Sequence, residues 1–153
     1  MSARPTRTAR HRPTSSTRLR GLTVMGLLGD AILHLHLAAG YQEASPGGVG
    51  LGTLFRLEAV VALAAGVVVL VRGTRRAYAL ALVVALSALL AVLASRYVDL
   101  PAFGPVPAVY EPVWFPEKTI SAIAEALAAA AALMALTRSA ARRHSKENAS
   151  GQA

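Results

Sequence analysis

Six side chains that can carry a charge lie inside otherwise apolar stretches of this sequence. A charge near the centre of a bilayer is costly, so ionisable residues in such stretches are candidates for function. Carboxylates and imidazoles there can exchange protons, pair with opposite charges or bind divalent cations. The six residues are Asp30, His34, His36, Arg56, Glu58 and Glu125.

Helical geometry places most of these residues at one depth. With a rise of about 1.5 Å per residue, His34, Glu58 and Glu125 lie about 9 to 10 Å below the same face of the membrane. Asp30 lies just beneath them, near the midplane. Because residues far apart in the chain reach one layer, a single polar cluster is expected there.

On the first helix, the helical period separates the two histidines. Asp30 and His34 are spaced i, i+4 and share one face, with Tyr41 above them. His36 points about 160° away from His34, given a period of 3.6 residues. The His-Leu-His segment therefore cannot chelate one ion from a straight helix.

The other carboxylates lie on faces of small residues. Glu58 shares its helical stripe with Ala62, and Glu125 shares its stripe with Ser121 and several alanines. Small residues let membrane helices approach closely, so both carboxylates are expected to point inward. Arg56 lies among large apolar residues, and we expect it to extend outward along the lipid face.

The predicted site has an inward-facing set, which consists of Asp30, His34, Glu58 and Glu125. Its candidate partners are His36, Arg56 and Tyr41. Three interpretations of this set stay open. It could be a structural contact made of hydrogen bonds and ion pairs, a proton or ion pathway, or a site for a divalent metal or another ligand. One imidazole with three carboxylates suits zinc or manganese, although this spacing is not diagnostic.

Motifs of known enzymes are absent from the sequence. There is no HExxH, GxSxG, phosphate loop or dinucleotide fingerprint, and no nucleophile is placed beside a base. The chain has no cysteine, which excludes disulfides and thiolate metal sites. We therefore expect no enzymatic activity, and the sequence identifies no cofactor.

Four apolar stretches are long enough to position these residues in a bilayer. A hydrocarbon core about 30 Å thick needs about 20 helical residues. Hydrophobic residues make up 54% of the chain and charged residues 16%, whereas soluble domains carry about a quarter charged residues. The predicted spans are residues 22–40, 51–71, 77–95 and 119–137. The predicted fold class is an all-α membrane protein, an up-and-down four-helix transmembrane bundle.

The basic residues predict the orientation of this bundle. Of the 16 lysines and arginines, 13 lie in the N-terminal tail, the 72–76 turn and the C-terminal tail. The two opposite loops contain only Arg96 and Lys118. By the positive-inside rule, both termini are expected in the cytoplasm (N-in/C-in), with the chain in the plasma membrane. The basic residues that give the net charge of +8 thus flank the membrane spans, and no nucleic-acid partner is expected.

The predicted organisation has one membrane domain between two tails. Residues 1–20 are expected to be a disordered basic cytoplasmic tail, 21–138 the transmembrane domain and 139–153 a second basic cytoplasmic tail. The outer loops are residues 41–50 and 96–118. The second of these carries five prolines and several aromatic residues. It is expected either to rest at the headgroup level or to act as a lid over a ligand.

The stretch AILHLHLAAGYQ, a short Gly/Pro turn and GTLFRLEAVVALAAGVVVLV resemble small four-helix integral membrane proteins of actinobacteria. In these, a His-x-(His or Tyr)-Leu segment precedes a GY turn and a TLF or WLF entry to the second helix. Phe103, Gly104, Glu111 and Glu125 correspond to a Gly-rich aromatic loop with a glutamate and to a glutamate in the last helix. The loop here is longer and richer in proline. The resemblance covers residues 22–137 and implies the fold; the family has no assigned activity.

Three functional hypotheses follow. The chain is expected to be an accessory or assembly subunit of a membrane complex, or a membrane protein that binds a small ligand or a metal. The alternative is a small proton- or metal-linked transporter. The expected partners are the lipid bilayer and either another membrane protein or a second copy of the chain.

Overall fold

Four helices account for most of the residues that the structure describes. The computed structural model describes residues 15–44, 49–104 and 106–150. The helices are α1 (Ser15–Ala44), α2 (Leu51–Arg72), α3 (Arg75–Tyr97) and α4 (Pro116–Ser150). Within the described ranges the only β-type pairing consists of two isolated bridges. The predicted all-α four-helix fold is confirmed.

Each predicted span lies inside one helix, but the first and last helices of the chain extend beyond the predicted membrane domain. Helix α1 begins at Ser15, so the prediction of a disordered tail is wrong for residues 15–20; residues 1–14 lie outside the described residues. Helix α4 continues to Ser150, so most of the predicted C-terminal tail is helical.

Tertiary contacts explain the early start of α1. Leu19 is only 5% exposed, and the Nε of Arg20 donates a hydrogen bond to the carbonyl oxygen of Val69 at 2.9 Å. These contacts with the rest of the bundle hold a helical turn that its basic, polar composition does not predict. They involve the end of α2, which is distant in sequence.

The connection between α2 and α3 is a tight turn with a cap on each side. Gly73 adopts a left-handed conformation with φ 54° and ψ 24°, and its N–H donates to the carbonyl oxygen of Val69. A residue with a side chain would be strained at this φ. Thr74 then caps α3 by accepting a hydrogen bond from the N–H of Ala77 at 3.3 Å.

The helices are arranged around a ring in chain order. Helix α1 packs along both α2 and α4, and α3 packs along α4. Helices α2 and α3 contact each other less extensively, and α2 and α4 make no direct helix contact within the described residues. The α1–α2 and α1–α4 pairs are therefore the contacts that can bring predicted ionisable residues of different helices together.

A glycine allows α1 and α4 to approach closely near the predicted polar layer. A Cβ atom added to Gly26 would lie 2.7 Å from the carbonyl oxygen of Ala124 and 2.8 Å from the Cβ of Ala128. Such distances leave no room for a side chain. This small-residue contact is the kind expected to stabilise helix pairs in lipid.

The interior is built from small residues and the exterior from large apolar ones. Ala62 and Ala132 are 0% exposed, whereas Met25, Val60 and Val83 are more than half exposed. All four helices are long and apolar enough to cross a membrane. Small residues inside and large apolar side chains outside are the arrangement expected of a helix bundle in lipid. The chain is a multi-pass membrane protein.

Residues 98–115 join α3 to α4 at the end of the bundle that we call the long-loop end. Phe103 and Val106 exchange two backbone hydrogen bonds of 3.0 Å, with Gly104 at φ 56° between them. Farther along, the N–H of Glu111 donates to the carbonyl oxygen of Ser95 at 2.8 Å. This bond holds the returning part of the loop against the end of α3.

Candidate functional site

Asp30 and His34 form a buried pair on one face of α1. The Nδ1 of His34 lies 2.7 Å from the Oδ1 of Asp30 and 3.1 Å from the backbone oxygen of the same residue. The exposed fractions are 1% for Asp30 and 8% for His34. Helical spacing of i, i+4 places the two side chains one above the other.

Glu125 and Ser121 complete this cluster from α4. The hydroxyl of Ser121 lies 3.0 Å from the Oε1 of Glu125 and 3.2 Å from the Oδ1 of Asp30. Glu125 is 0% exposed. Ser121 thus bridges the carboxylates of two helices, and its single proton can be donated to only one of them at a time.

The structure brings three of the four predicted inward residues together. Asp30, His34 and Glu125 each offer one ligand atom, and these atoms all lie within 4.8 Å of one another. Glu58 does not belong to this group. It lies on α2, which contacts α1 but not α4 within the described residues, so it stays apart from Glu125.

Glu58 is half-buried on α2 and lines the same cavity as His34. Its Oε1 is buried and has no hydrogen-bond partner among the described residues. The stripe of small residues below it, with Ala62 and Gly66, is buried as predicted. Glu58 is therefore held at the edge of the bundle interior with an acceptor atom available.

Two of the candidate partners lie away from the cluster. His36 is exposed, on the side of α1 that its offset from His34 predicts. Arg56 is also exposed, and its Nη1 lies 3.4 Å from the Oε1 of Gln42. Neither side chain is placed to neutralise the buried carboxylates, because both point away from the interior.

Tyr41, the third candidate partner, bonds to the long loop instead. Its hydroxyl donates a hydrogen bond of 2.5 Å to the Oε2 of Glu111. Its ring packs against Phe55, with the ring centroids 4.6 Å apart. Phe55 also makes an edge contact with the imidazole of His34 at 5.0 Å. Phe55 thus connects the level of the polar cluster to the long-loop end.

A cavity of about 550 Å³ lies beside this cluster. Three of its walls are α1, α2 and α3, and it is closed at the long-loop end by residues 108–111 and the start of α4. Most of the lining side chains are apolar. The polar lining residues are His34, Tyr41, Glu58, Ser87, Ser95, Tyr110, Glu111, Lys118 and Ser121.

Glu111 and Lys118 are site residues that the sequence interpretation did not include. The Nζ of Lys118 donates to the backbone oxygen of Glu111 at 2.7 Å and lies 3.6 Å from its Oε2. Lys118 is only 5% exposed and lies 5.7 Å from the centroid of the Trp114 ring. The available signal was an acidic and a basic residue flanking an aromatic stretch in a loop. That pattern is also typical of a solvated membrane surface.

The cavity therefore has two groups of polar lining residues. One consists of His34, Ser121 and Glu58 at mid-depth, and the other of Tyr41, Glu111 and Lys118 at the long-loop end. The mid-depth region adjoins the buried carboxylates of the cluster. Such an arrangement can bind an amphipathic molecule or, at the carboxylates and imidazole, a cation.

No family model, curated protein or solved structure matches this chain. The fold and the site define its class: an all-α, multi-pass membrane protein with a buried cluster of ionisable residues beside a cavity.

Proposed function

We propose that this protein binds a small amphipathic molecule within the membrane, in the cavity at the long-loop end of the bundle. The observation that carries the proposal is the cavity itself, which has a volume of about 550 Å³. Ligand pockets commonly measure about 300 to 1,000 Å³, with mostly apolar walls and a few polar groups that orient the ligand.

The charges along the chain support a position in the outer half of the plasma membrane. The basic residues concentrate near the termini and the 72–76 turn, opposite to the long-loop end. With N-in/C-in topology, the cavity lies near the outer surface. A ligand then reaches it from the outer leaflet or from the outside water.

Glu58 indicates the chemistry of the ligand's polar group. Its buried Oε1 has no hydrogen-bond partner among the described residues, and the residue lines the cavity. A buried acceptor gains most from a donor that is itself charged. The ligand is therefore an apolar molecule with an amine or a comparable donor group. Apolar side chains such as Leu37 and Leu54 line the space for its body.

The packing on the other side of the cluster favours binding over conduction. Leu27 is 1% exposed and Ala128 and Ala132 are 0% exposed. The hydroxyl of Thr23 is already bonded to the carbonyl oxygen of Leu19 in its own helix. A pore would need polar groups along a wet path in this region, and the close α1–α4 contact supplies none among these residues.

The proposal can be tested by energy transfer from the only tryptophan of the chain. Trp114 lies beside Lys118, a residue of the cavity lining. Purified protein in nanodiscs is titrated with a dansyl-labelled alkylamine while dansyl emission is recorded under tryptophan excitation. We expect saturable transfer that unlabelled dodecylamine displaces, with Glu58→Gln weakening the binding about tenfold or more.

Two alanines of α3 provide a matched pair of variants. Ala91 is exposed and lines the cavity, whereas Ala79 is exposed and does not. Ala91→Phe should fill the cavity and abolish saturable transfer, and Ala79→Phe should bind the probe as the wild type does. Equal binding by both variants would show that the probe only partitions into lipid, which contradicts the proposal.

The accessory-subunit hypothesis makes a different prediction for purification. An accessory subunit should bring a membrane-protein partner in a fixed ratio when it is extracted in mild detergent. A ligand-binding protein should purify alone and still bind the dansyl probe. Mass spectrometry of the purified complex, before any probe is added, separates the two hypotheses.

A further inference from the structure

We propose that Asp30, His34 and Glu125 bind one divalent transition-metal ion, with zinc and manganese as the best-suited ions. One ligand atom from each residue lies within 4.8 Å of the other two. Ligand atoms about 2.1 Å from a tetrahedral ion are about 3.4 Å apart, so small side-chain rotations would close the site. This inference does not depend on the amphipathic ligand proposed for the cavity.

The unpartnered oxygens of this cluster provide a second, independent observation. Asp30 is 1% and Glu125 is 0% exposed. The Oδ2 of Asp30 and the Oε2 of Glu125 are buried without a hydrogen-bond partner among the described residues. Leaving a buried carboxylate oxygen without a partner is costly. A divalent cation would use both oxygens as ligands.

The charge balance points the same way. Among the described residues, the only ion pair that involves Asp30 or Glu125 is the one between Asp30 and His34. Two basic residues of the same half of the bundle have other partners: Lys118 pairs with Glu111, and Arg56 lies beside Gln42. With a neutral imidazole as the third ligand, the two carboxylates carry a charge of −2, which one divalent ion compensates.

Ser121 is placed to orient the ligands without binding the ion. Its hydroxyl lies between the Oε1 of Glu125 at 3.0 Å and the Oδ1 of Asp30 at 3.2 Å. Hydrogen bonds of this kind fix the direction of carboxylate ligands in metal sites. Replacing Ser121 should therefore weaken metal binding while all three ligands stay present.

The cavity provides a route for the ion. His34 and Ser121 line it, so the cluster can be reached through the cavity without passing through the packed α1–α4 contact. Three protein ligands leave a fourth position of a tetrahedral ion open to water or to another molecule. The site is thus of the open type and not a closed structural site.

The donor set restricts the choice of metal. One imidazole nitrogen and carboxylate oxygens suit zinc and manganese. Calcium takes about six to eight oxygen ligands, which this cluster does not offer. Cuprous copper prefers sulfur ligands, and the chain has no cysteine. We expect zinc to bind more tightly than manganese at such a site.

The test uses the full chain, purified in detergent with a tag that contains no histidine and stripped of metal by a chelator. Zinc chloride and manganese chloride are titrated separately by calorimetry, and bound metal is counted after dialysis. We expect one ion per chain. Glu125→Gln and Asp30→Asn should each weaken binding at least about a hundredfold, and Ser121→Ala about 10- to 100-fold.

His36 supplies the matched control. It is exposed on α1, two residues from His34, so His36→Gln should bind zinc as the wild type does, whereas His34→Gln should lose binding. Helical circular dichroism and gel filtration establish that each variant is folded. If a ligand variant does not fold, cobalt added to the wild type still tests whether the metal site exists, because cobalt in a four-coordinate site gives intense visible absorption bands.

Three outcomes would overturn the inference. The first is folded wild-type protein that binds neither zinc nor cobalt, which would leave the cluster as a hydrogen-bonded contact between helices. The second is equal binding of zinc to the wild type and to Glu125→Gln. The third is loss of binding in His36→Gln, which would place the ion on the exposed side of α1.

Discussion

The hydroxyl of Tyr41 donates a hydrogen bond of 2.5 Å to the Oε2 of Glu111, a residue 70 positions later in the chain. This bond ties α1 to the loop between α3 and α4. Lys118 holds the same segment from the other side by bonding to the backbone oxygen of Glu111 at 2.7 Å. Together these contacts position the loop that closes the cavity.

Removing the tyrosine hydroxyl should loosen this loop. Tyr41→Phe deletes one hydrogen bond to a carboxylate, which contributes about 1.5 to 3 kcal/mol when well formed. We expect faster hydrogen–deuterium exchange in residues 106–115 and weaker retention of the dansyl probe. Tyr97→Phe, at a tyrosine that is 69% exposed, should change neither. Unchanged exchange in Tyr41→Phe would argue against a role of this bond in holding the loop.

Gly26 should tolerate no side chain. In Gly26→Ala, the new Cβ would meet the backbone oxygen of Ala124 and the Cβ of Ala128. Forcing α1 and α4 apart should cost about 1 to 3 kcal/mol of stability. Gly21→Ala is the control because nothing lies within 4 Å of its added Cβ. Thermal unfolding in detergent should show a lower midpoint for Gly26→Ala alone; equal midpoints would contradict this helix contact.

Ser121→Ala should destabilise the bundle in the absence of metal. The substitution removes the hydroxyl between Asp30 and Glu125, so one buried carboxylate oxygen loses its donor at a cost of about 1 to 3 kcal/mol. In Ser87→Ala, the lost bond is a local one to the carbonyl oxygen of Val84, and little change is expected. Chemical unfolding followed by circular dichroism compares the two; a stable Ser121→Ala variant would argue against the bridge.

Reporter fusions should reveal N-in/C-in topology. Fusions after Gly47, Thr74, Pro107 and Arg143 are expected to report outside, inside, outside and inside, because the basic residues cluster near the second and fourth positions. An alkaline phosphatase and a fluorescent protein give opposite signals at each site. External activity at Arg143 would reverse the predicted orientation and place the cavity on the cytoplasmic side.

The sequence by itself determined the fold class and the direction in which most side chains face. Apolar stretches of about 20 residues predict spanning helices because the thickness of the bilayer sets their length. The helical period then separates the buried Asp30 and His34 from the exposed His36 on the first helix, and the half-buried Glu58 from the exposed Arg56 on the second. These are local properties of each helix, so they can be read from one segment at a time.

Only the tertiary structure decided which of these residues meet. Asp30 and Glu125 come together because Gly26 and Ala128 let α1 and α4 approach. Glu58 stays apart from Glu125 because α2 and α4 make no contact within the described residues. The order of helices around a ring depends on all pairwise contacts at once, and depth along each helix carries no information about it. The cavity arises for the same reason, from the sparse contact between α2 and α3 and the loop that folds back over it.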